Sequence, residues 1–441
     1  MRKPLDLSLY LVTDRGLSLG RPLEDVVAQA VAGGVTIVQL REKDAPTGEF
    51  VSLAKKLMHL LKPLNIPLII NDRVDVALAA DADGVHIGQS DMAYQDVRKL
   101  IGYDKIIGLS VENMHDLEIA NSLDVDYVGI SPVFGTPTKT DTAQPFGLQG
   151  LKDAVRLSIH PTVGIGGMNA NTAKDVMQTG CNGIAVVSAI CSAQDPTQAA
   201  KELKALVDAN ATTLWSQHVW RTTYPIYQAI LKQKFINELA AGTLALDKFA
   251  SYIGQDELYL KNYYPCMFQL AEMMDTPQNK ALFTSIAQSG MEGEKIMHNF
   301  LIEKYGINTD VPFSGVTTTY NNLIKNAVDS KNSHIAFACM LPCMWIYNRV
   351  GLHILKTAQL ENNPYKEWIT EYGNEAFTQG VNAVLDIIDT WAAQTDQDTR
   401  CAMTNIYAQA ALCEYAFWEY GYEGELKNYD YLHNPQAPKP F

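Results

Sequence analysis

The sequence predicts an α/β domain, a barrel of eight strand–helix units, followed by an all-α domain. Three observations carry that expectation. At 441 residues the chain exceeds what one hydrophobic core ordinarily organises. Up to about residue 208, short β-branched runs alternate with amphipathic stretches, the sequence form of a parallel sheet covered by helices. From about residue 214 the alternation stops, and long segments rich in Ala, Leu, Met and aromatic residues take over.

The strand candidates, in order, are SLYLVTD (8–14), TIVQLRE (36–42), PLIIND (67–72), GVHIG (84–88), IIGLSV (106–111), YVGISPV (127–133), PTVGIGG (161–167) and GIAVVSAI (183–190). Between them lie stretches such as PLEDVVAQAVAGG and EFVSLAKKLMHLLKPL, apolar at i, i+3, i+4 spacing as helices are. Eight units within 1–208 fit a small closed (β/α)8 TIM barrel better than an open doubly wound sheet. An Asn/Thr/Ala stretch at 209–213 reads as a linker. Segments such as FASYIGQDELYLKNYYPCMFQLAEMM and SHIAFACMLPCMWIYNRVGLHILKTAQ are apolar all round, as buried bundle helices are. Pro265 and Pro342 are expected to kink two of them. The helical domain is placed at 214–424, with a tail at 425–441.

Composition narrows the function. With 47% hydrophobic and 19% charged residues the chain reads as well-buried globular material. A net charge of −14 without a Lys/Arg run argues against nucleic acid or an anionic membrane as partner. No uninterrupted stretch of about 18 apolar residues is present, so no membrane span is expected. The N-terminus has no signal-peptide pattern, and seven cysteines lack CxxC pairing or zinc spacing, which suits reduced thiols in a cytoplasm.

In a (β/α)8 barrel, reactive groups gather at the C-terminal ends of the strands. Those ends carry Gln39, Arg41 and Lys43, then Asn71 and Asp72, then His86, Gln89 and Asp91, then Ser110, Thr136, Thr138 and Lys139, then Gly166 and Gly167, then Val187 and Ser188. Two carboxylates from adjacent strand ends, Asp72 and Asp91, suit Mg²⁺, which keeps waters and substrate oxygens in the rest of its shell. The cations around them suit an anionic ligand. The glycine pair with Ser188 matches the usual barrel phosphate site. Singly, an Asn-Asp is a solvated strand end and a Gly-Gly a turn; jointly, at the right strand ends, they point to chemistry.

With these residues, YLVTDR (10–15), QLREK (39–43), ND (71–72), HIGQSD (86–91), VFGTPTKTD (133–141) and GIGG (164–167), the first half resembles thiamine-phosphate synthase. The resemblance implies coupling of 4-amino-2-methyl-5-hydroxymethylpyrimidine diphosphate to a thiazole phosphate, plain or carboxylated, giving thiamine phosphate and diphosphate. It implies one Mg²⁺ on Asp72 and Asp91. It implies a grip on the leaving diphosphate by Gln39, Arg41, Lys43, Asn71 and Lys139, the last also a catalytic candidate. Ser110 would lie near the pyrimidine, and Thr136, Thr138, Gly167, Val187 and Ser188 would receive the thiazole phosphate.

In the second half, Cys343 and Tyr347 share a helix face at i, i+4, and Asp256 and Tyr259 share one at i, i+3. Glu414, in a run as apolar as ALCEYAFW, is expensive to ionise and so a candidate acid/base. An unsupported helical Cys is more often core filler, and tyrosines in long helices usually just pack. With AAGTL (240–244), QDELYL (255–260), TTTY (317–320), LPCMWIY (341–347), NPYKEWITEY (363–372) and CEYAFW (413–418), this half resembles the cysteine-bearing TenA-type thiaminase II enzymes. Met344 departs mildly, since an aromatic often follows that cysteine.

The second resemblance implies a haem-oxygenase-like helical bundle without a cofactor, forming a homo-oligomer through the helical domain. It implies hydrolytic release of 4-amino-5-hydroxymethyl-2-methylpyrimidine from its 5-aminomethyl analogue and from thiamine. Cys343 would attack the ring, Glu414 would exchange the ring-nitrogen proton and Asp256 would hold the amino group. Tyr259, Tyr320, Tyr347, Tyr372 and Phe417 would line the pocket. The alternative is a non-catalytic pyrimidine-binding or regulatory module. A kinase step separates the two reactions and no GxxxxGK[ST] appears, so direct channelling is not expected.

Overall fold

A computed structural model describes residues 5–135, 144–424, 429–433 and 439. The chain divides into two compact units, Met1–Gln217 and His218–Phe441. The expected linker at 209–213 is shorter in the structure, because the last helix of the first unit extends to Asn210.

The first unit is a closed parallel barrel in which each strand pairs with its sequence neighbour and the first pairs with the last. Its strands are β1 (Leu9–Val12), β2 (Ile37–Leu40), β3 (Leu68–Asn71), β4 (Gly84–Ile87), β5 (Ile106–Val111), β6 (Tyr127–Ile130), β7 (Thr162–Ile165) and β8 (Gly183–Val186). The helices are α1 (Leu23–Ala32), α2 (Thr47–Leu61), α3 (Val74–Ala80), α4 (Tyr94–Ile101), α5 (Met114–Ala120), α6 (Gly147–Leu157), α7 (Ala173–Met177), α8 (Ser188–Cys191) and α9 (Pro196–Asn210). Strands β1, β2, β6 and β8 are buried along their whole length, which is why their apolar runs do not alternate with polar residues. The barrel interior is filled by Tyr10, Val12, Ile37, Ile69, Tyr127, Val163 and Ala185. The expected eighth strand at 183–190 stops at Val186, and its last residues turn into α8.

Among its described residues the second unit has helices and no strand: α10 (Trp215–Leu231), which begins just before the division, α11 (Lys234–Ala241), α12 (Leu246–Glu272), α13 (Pro277–Tyr305), α14 (Gly315–Asp329), α15 (Ser333–Thr357), α16 (Lys366–Tyr372), α17 (Glu375–Gln394), α18 (Gln397–Glu423) and α19 (Asp430–His433). Pro265 and Pro342 lie inside α12 and α15, which continue as helix on both sides of them. Helix α15 packs most extensively against α18. Contrary to the sequence expectation, α15 is long and apolar enough to cross a membrane by length and composition. Its mean hydropathy reaches that level although Asn348 and Arg349 interrupt the run, and 78% of its most apolar stretch is buried in the protein, as in a core helix.

Local chemistry sets the helix starts that matter to the site. Ser314 caps α14 by accepting the Thr317 N–H at 2.9 Å. Gln255 Oε1, from α12, accepts both Ser314 N–H at 2.9 Å and the Thr317 hydroxyl at 2.7 Å. This buried knot fixes the first turn of α14 against α12, and Tyr320 follows one turn later.

Candidate active sites

On the barrel rim the two acids predicted from sequence come together. Asp72 follows β3 with a left-handed φ of 60°, and its backbone N–H is held by the His86 carbonyl at 2.9 Å. That conformation turns its carboxyl towards Asp91, whose Oδ2 accepts the Gly88 N–H at 2.7 Å. Burial, then hydrogen bonding and charge from Asp91, raise the Asp72 pKa, while Asn71 and Lys43 pull it down. Two carboxyls facing each other with too little positive charge between them make the donor set of a divalent cation, so the residues fit Mg²⁺.

The other described candidates lie near the C-terminal ends of their own strands. Gln39 is buried at the end of β2, Arg41 lies 3.6 Å from Asp14, and Ser110 lies in β5 beside His86. Gly166 and Gly167 follow β7 with φ of 100° and 71°, where any side chain would also press on Pro132 or Phe134. Val187 and Ser188 follow β8 on the same rim. Thr136, Thr138 and Lys139 lie outside the described residues.

Beneath the rim runs a set of contacts that the sequence did not disclose. Tyr10 and Tyr127 Oη are 2.7 Å apart, with Gln39 donating to the first and His86 bonded to the second. Burial pushes the His86 pKa down to about 4, so the ring is neutral. Gly108 makes room for the pair, since a Cβ there would lie 2.1 Å from Tyr127 Cζ and 2.6 Å from His86 Nδ1.

In the helical unit a cavity of about 380 Å³ is lined by Asp256, Tyr259, Cys343, Tyr347 and Tyr372. Tyr320, Phe417 and Glu414 stand behind this wall, with the Tyr320 and Phe417 rings 4.9 Å and 5.9 Å from that of Tyr259. Glu414, 1% exposed, accepts the Tyr320 hydroxyl at 2.6 Å, and burial raises its pKa to about 8. Burial and then the Glu414 charge raise the Cys343 thiol pKa, with Tyr259 beside it working the other way. The resting pair is therefore a neutral thiol near a neutral acid.

The sequence also missed the partners of Asp256. His298, 1% exposed on α13, places Nε2 3.3 Å from Asp256 and Nδ1 2.6 Å from Glu257. Burial alone would strip its proton, but Asp256 and Glu257 outweigh that and hold the pKa at about 10. Glu294 accepts the Tyr372 hydroxyl on both oxygens, at 2.7 and 2.8 Å. Burial and the Asp256 charge raise its pKa. Ligand atoms of Asp256, Glu294 and His298 lie within 4.8 Å of one another, the spacing of a metal site, but an imidazolium among them repels a cation. Among the residues lining the cavity, three are acidic (Asp256, Glu294 and Glu371) and none is Lys, Arg or His.

Comparison with known proteins assigns both halves. Residues 9–190 match the profile of the family described as thiamine monophosphate synthase. The thiamine-phosphate synthase of Albidiferax ferrireducens is 53% identical over 203 residues, which is 46% of this chain and 93% of that protein. That of Vibrio parahaemolyticus is 51% identical over 200 residues, 45% of this chain and 98% of that protein. The chain belongs to the thiamine monophosphate synthase family. Residues 220–424 match the TENA/THI-4/PQQC family, so the synthase-family barrel is joined here to a TenA-family domain. Among solved structures, a thiamine phosphate pyrophosphorylase from Pyrococcus furiosus is 38% identical, covering 47% of this chain and 98% of its own, with a TM-score of 0.44. A TenA homologue from the same organism is 17% identical, covering 47% and 100%, with a TM-score of 0.45.

Proposed function

We propose that the chain is a bifunctional enzyme of thiamine synthesis and salvage. The barrel joins 4-amino-2-methyl-5-hydroxymethylpyrimidine diphosphate to a thiazole phosphate, giving thiamine phosphate and diphosphate. The observation that supports this reading best is the Asp72–Asp91 pair beside Asn71 and Lys43. Mg²⁺ held there would neutralise the departing diphosphate. Arg41, Lys43 and Lys139 add charge for the same anion. As the C–O bond to diphosphate breaks, the electron-rich aminopyrimidine shares the positive charge on its methylene, and the thiazole nitrogen forms the new C–N bond. That nitrogen has no proton to lose, so the rim needs to place two reactants and needs no general base. Asp72→Ala should abolish Mg²⁺-dependent diphosphate release; an unchanged rate would refute the assignment.

The helical domain, on this reading, hydrolyses 5-aminomethyl-pyrimidine and thiamine to the hydroxymethylpyrimidine. Support comes from a cysteine at the wall of an aromatic cavity with a buried carboxyl of pKa about 8 behind it. Attack by sulfur on the ring releases one proton and the ring nitrogen takes up one. The amine or thiazole then leaves the methylene, water adds there, and loss of the sulfur restores the ring with return of the proton. A carboxyl that ionises near neutrality serves each transfer. Asp256, backed by His298, would hold the substrate's amino group. Cys343→Ala should leave no measurable aminopyrimidine release, and Glu414→Gln should slow it by about 10²–10⁴-fold. Wild-type rates in both variants would leave a binding module.

A further inference from the structure

Five side chains inside the barrel form one hydrogen-bonded chain whose ends are two rim residues. Gln39 Nε2 donates to Tyr10 Oη at 2.9 Å, and Tyr10 Oη lies 2.7 Å from Tyr127 Oη. Tyr127 Oη lies 2.9 Å from His86 Nδ1, and His86 Nε2 lies 2.9 Å from Ser110 Oγ. Each hydroxyl has a single proton to give, and a neutral imidazole has one N–H and one bare nitrogen. The sense of one link therefore sets the sense of all. Because Gln39 gives an N–H to Tyr10, Tyr10 gives its proton to Tyr127, and Tyr127 gives its own to Nδ1. The His86 proton must then sit on Nε2 and point at Ser110.

Reversing any inner link would strand a buried O–H without an acceptor, at a cost of about 1–3 kcal/mol. An imidazolium fits no better, since it would aim a second N–H at Tyr127 and leave the phenol proton unplaced. What remains for a ligand is the Gln39 carbonyl, an acceptor, and the Ser110 hydroxyl proton, a donor. Among the described residues neither has another partner.

We propose that Tyr10, Tyr127 and His86 are positioning residues that lock Gln39 as acceptor and Ser110 as donor, a polarity complementary to the amino group and ring nitrogens of an aminopyrimidine. Gln39, expected from the resemblance to grip the diphosphate, spends an N–H on Tyr10 and on this proposal turns its side-chain carbonyl to the pyrimidine instead. Only the choice of ligand rests on the synthase reading; the polarity rests on the barrel interior alone. The lock explains why the polar groups of Tyr10, Tyr127 and His86 sit beneath the rim in a barrel interior that apolar side chains would otherwise fill. It also predicts discrimination against a pyrimidine with a carbonyl in place of the amino group, which would present an acceptor to an acceptor.

The test reads the proton positions directly. In the full chain labelled with ¹⁵N-histidine, His86 should show a bare Nδ1 and a protonated Nε2. The signals are assigned by their loss in His86→Gln or, if that variant fails to fold, by the Nδ1 shift in Tyr127→Phe. A protonated Nδ1 overturns the proposal whatever the enzyme's activity. Kinetics give a second reading: Tyr10→Phe, which touches the chain at its far end from Ser110, should raise KM for the pyrimidine diphosphate about five- to tenfold. KM for the thiazole phosphate should not move. Equal changes in both constants, or none, would reduce Tyr10 to a packing residue and overturn the lock.

Discussion

Glu414 and His298 hold protons that their unfolded forms release more readily. Glu414 ionises at about 8 in the fold against an ordinary 4.5, and His298 at about 10 against 6.5. Between each pair of values the folded state binds more protons than the unfolded one, so stability falls as pH rises. The Glu414 contribution is lost between about pH 4.5 and 8, and the His298 contribution is full below about 6.5 and lost on passing through 10. Five of the six tryptophans, from Trp220 onward, lie in the second unit and only Trp215 lies in the first, so tryptophan fluorescence during unfolding reports mainly the helical unit. Its melting temperature should drop steadily from pH 5 to pH 10. Glu414→Gln should flatten the lower part of that slope and His298→Gln the upper part; slopes unchanged in both would refute these protonation states. Glu414 was legible in the sequence because a lone acid in an apolar run stands out. His298 and Glu294 were not, because α13 mixes polar and apolar residues along its length and its single histidine attracts no notice. Tyr10 and Tyr127 read as ordinary barrel filling, and only their 2.7 Å approach gives them a role.

At the scale of elements, the strand ends carried most of the legible information. Each β strand is short and mostly apolar, and polar residues stand in its last positions or soon after its end, as Gln39 and Arg41 do at β2 and Asn71 and Asp72 at β3, so much of the rim could be written down from the sequence. The strands end earlier than the apolar runs do, because at β7 and β8 the backbone leaves the sheet through Gly166 or turns into α8. Between helices the decisive contacts were invisible. Gly351 lets α15 approach the end of α16 so closely that a Cβ there would meet Tyr372 O at 2.5 Å. Gly351→Ala should therefore destabilise the helical unit by about 1–3 kcal/mol. It should also raise KM for the aminopyrimidine substrate, because Tyr372 and its bond to Glu294 would shift; a normal melting temperature with normal kinetics would contradict that packing. No period of apolar residues encodes such an approach, since it depends on which neighbour arrives.

For the whole molecule, two units with separate cores and separate candidate sites suggest that neither needs the other. Fragments 1–213 and 214–441, made apart, should each keep their activity within about a factor of three, far less than loss of a catalytic group causes. Loss of either activity on separation would show dependence between them. The change of fold near residue 210 was legible because strand periodicity simply ceases there, whereas the exact junction depended on how far α9 extends.

The lining of the helical unit's cavity has a bearing on how such a chain could work as one gene product. Asp256, Glu294 and Glu371 face the hollow and no basic side chain lines it. Thiamine itself carries a positive ring and should enter readily, whereas its monophosphate brings an anion towards carboxylates with nothing to receive it. Thiamine monophosphate should accordingly be cleaved at least about tenfold more slowly than thiamine, and Glu371→Lys should narrow that gap. Comparable rates on the two compounds would show that the acids do not discriminate. With that preference in place, the thiamine phosphate made in the proposed barrel reaction would carry its own safe-conduct past the proposed hydrolysis, and only dephosphorylated or damaged vitamin would be recycled.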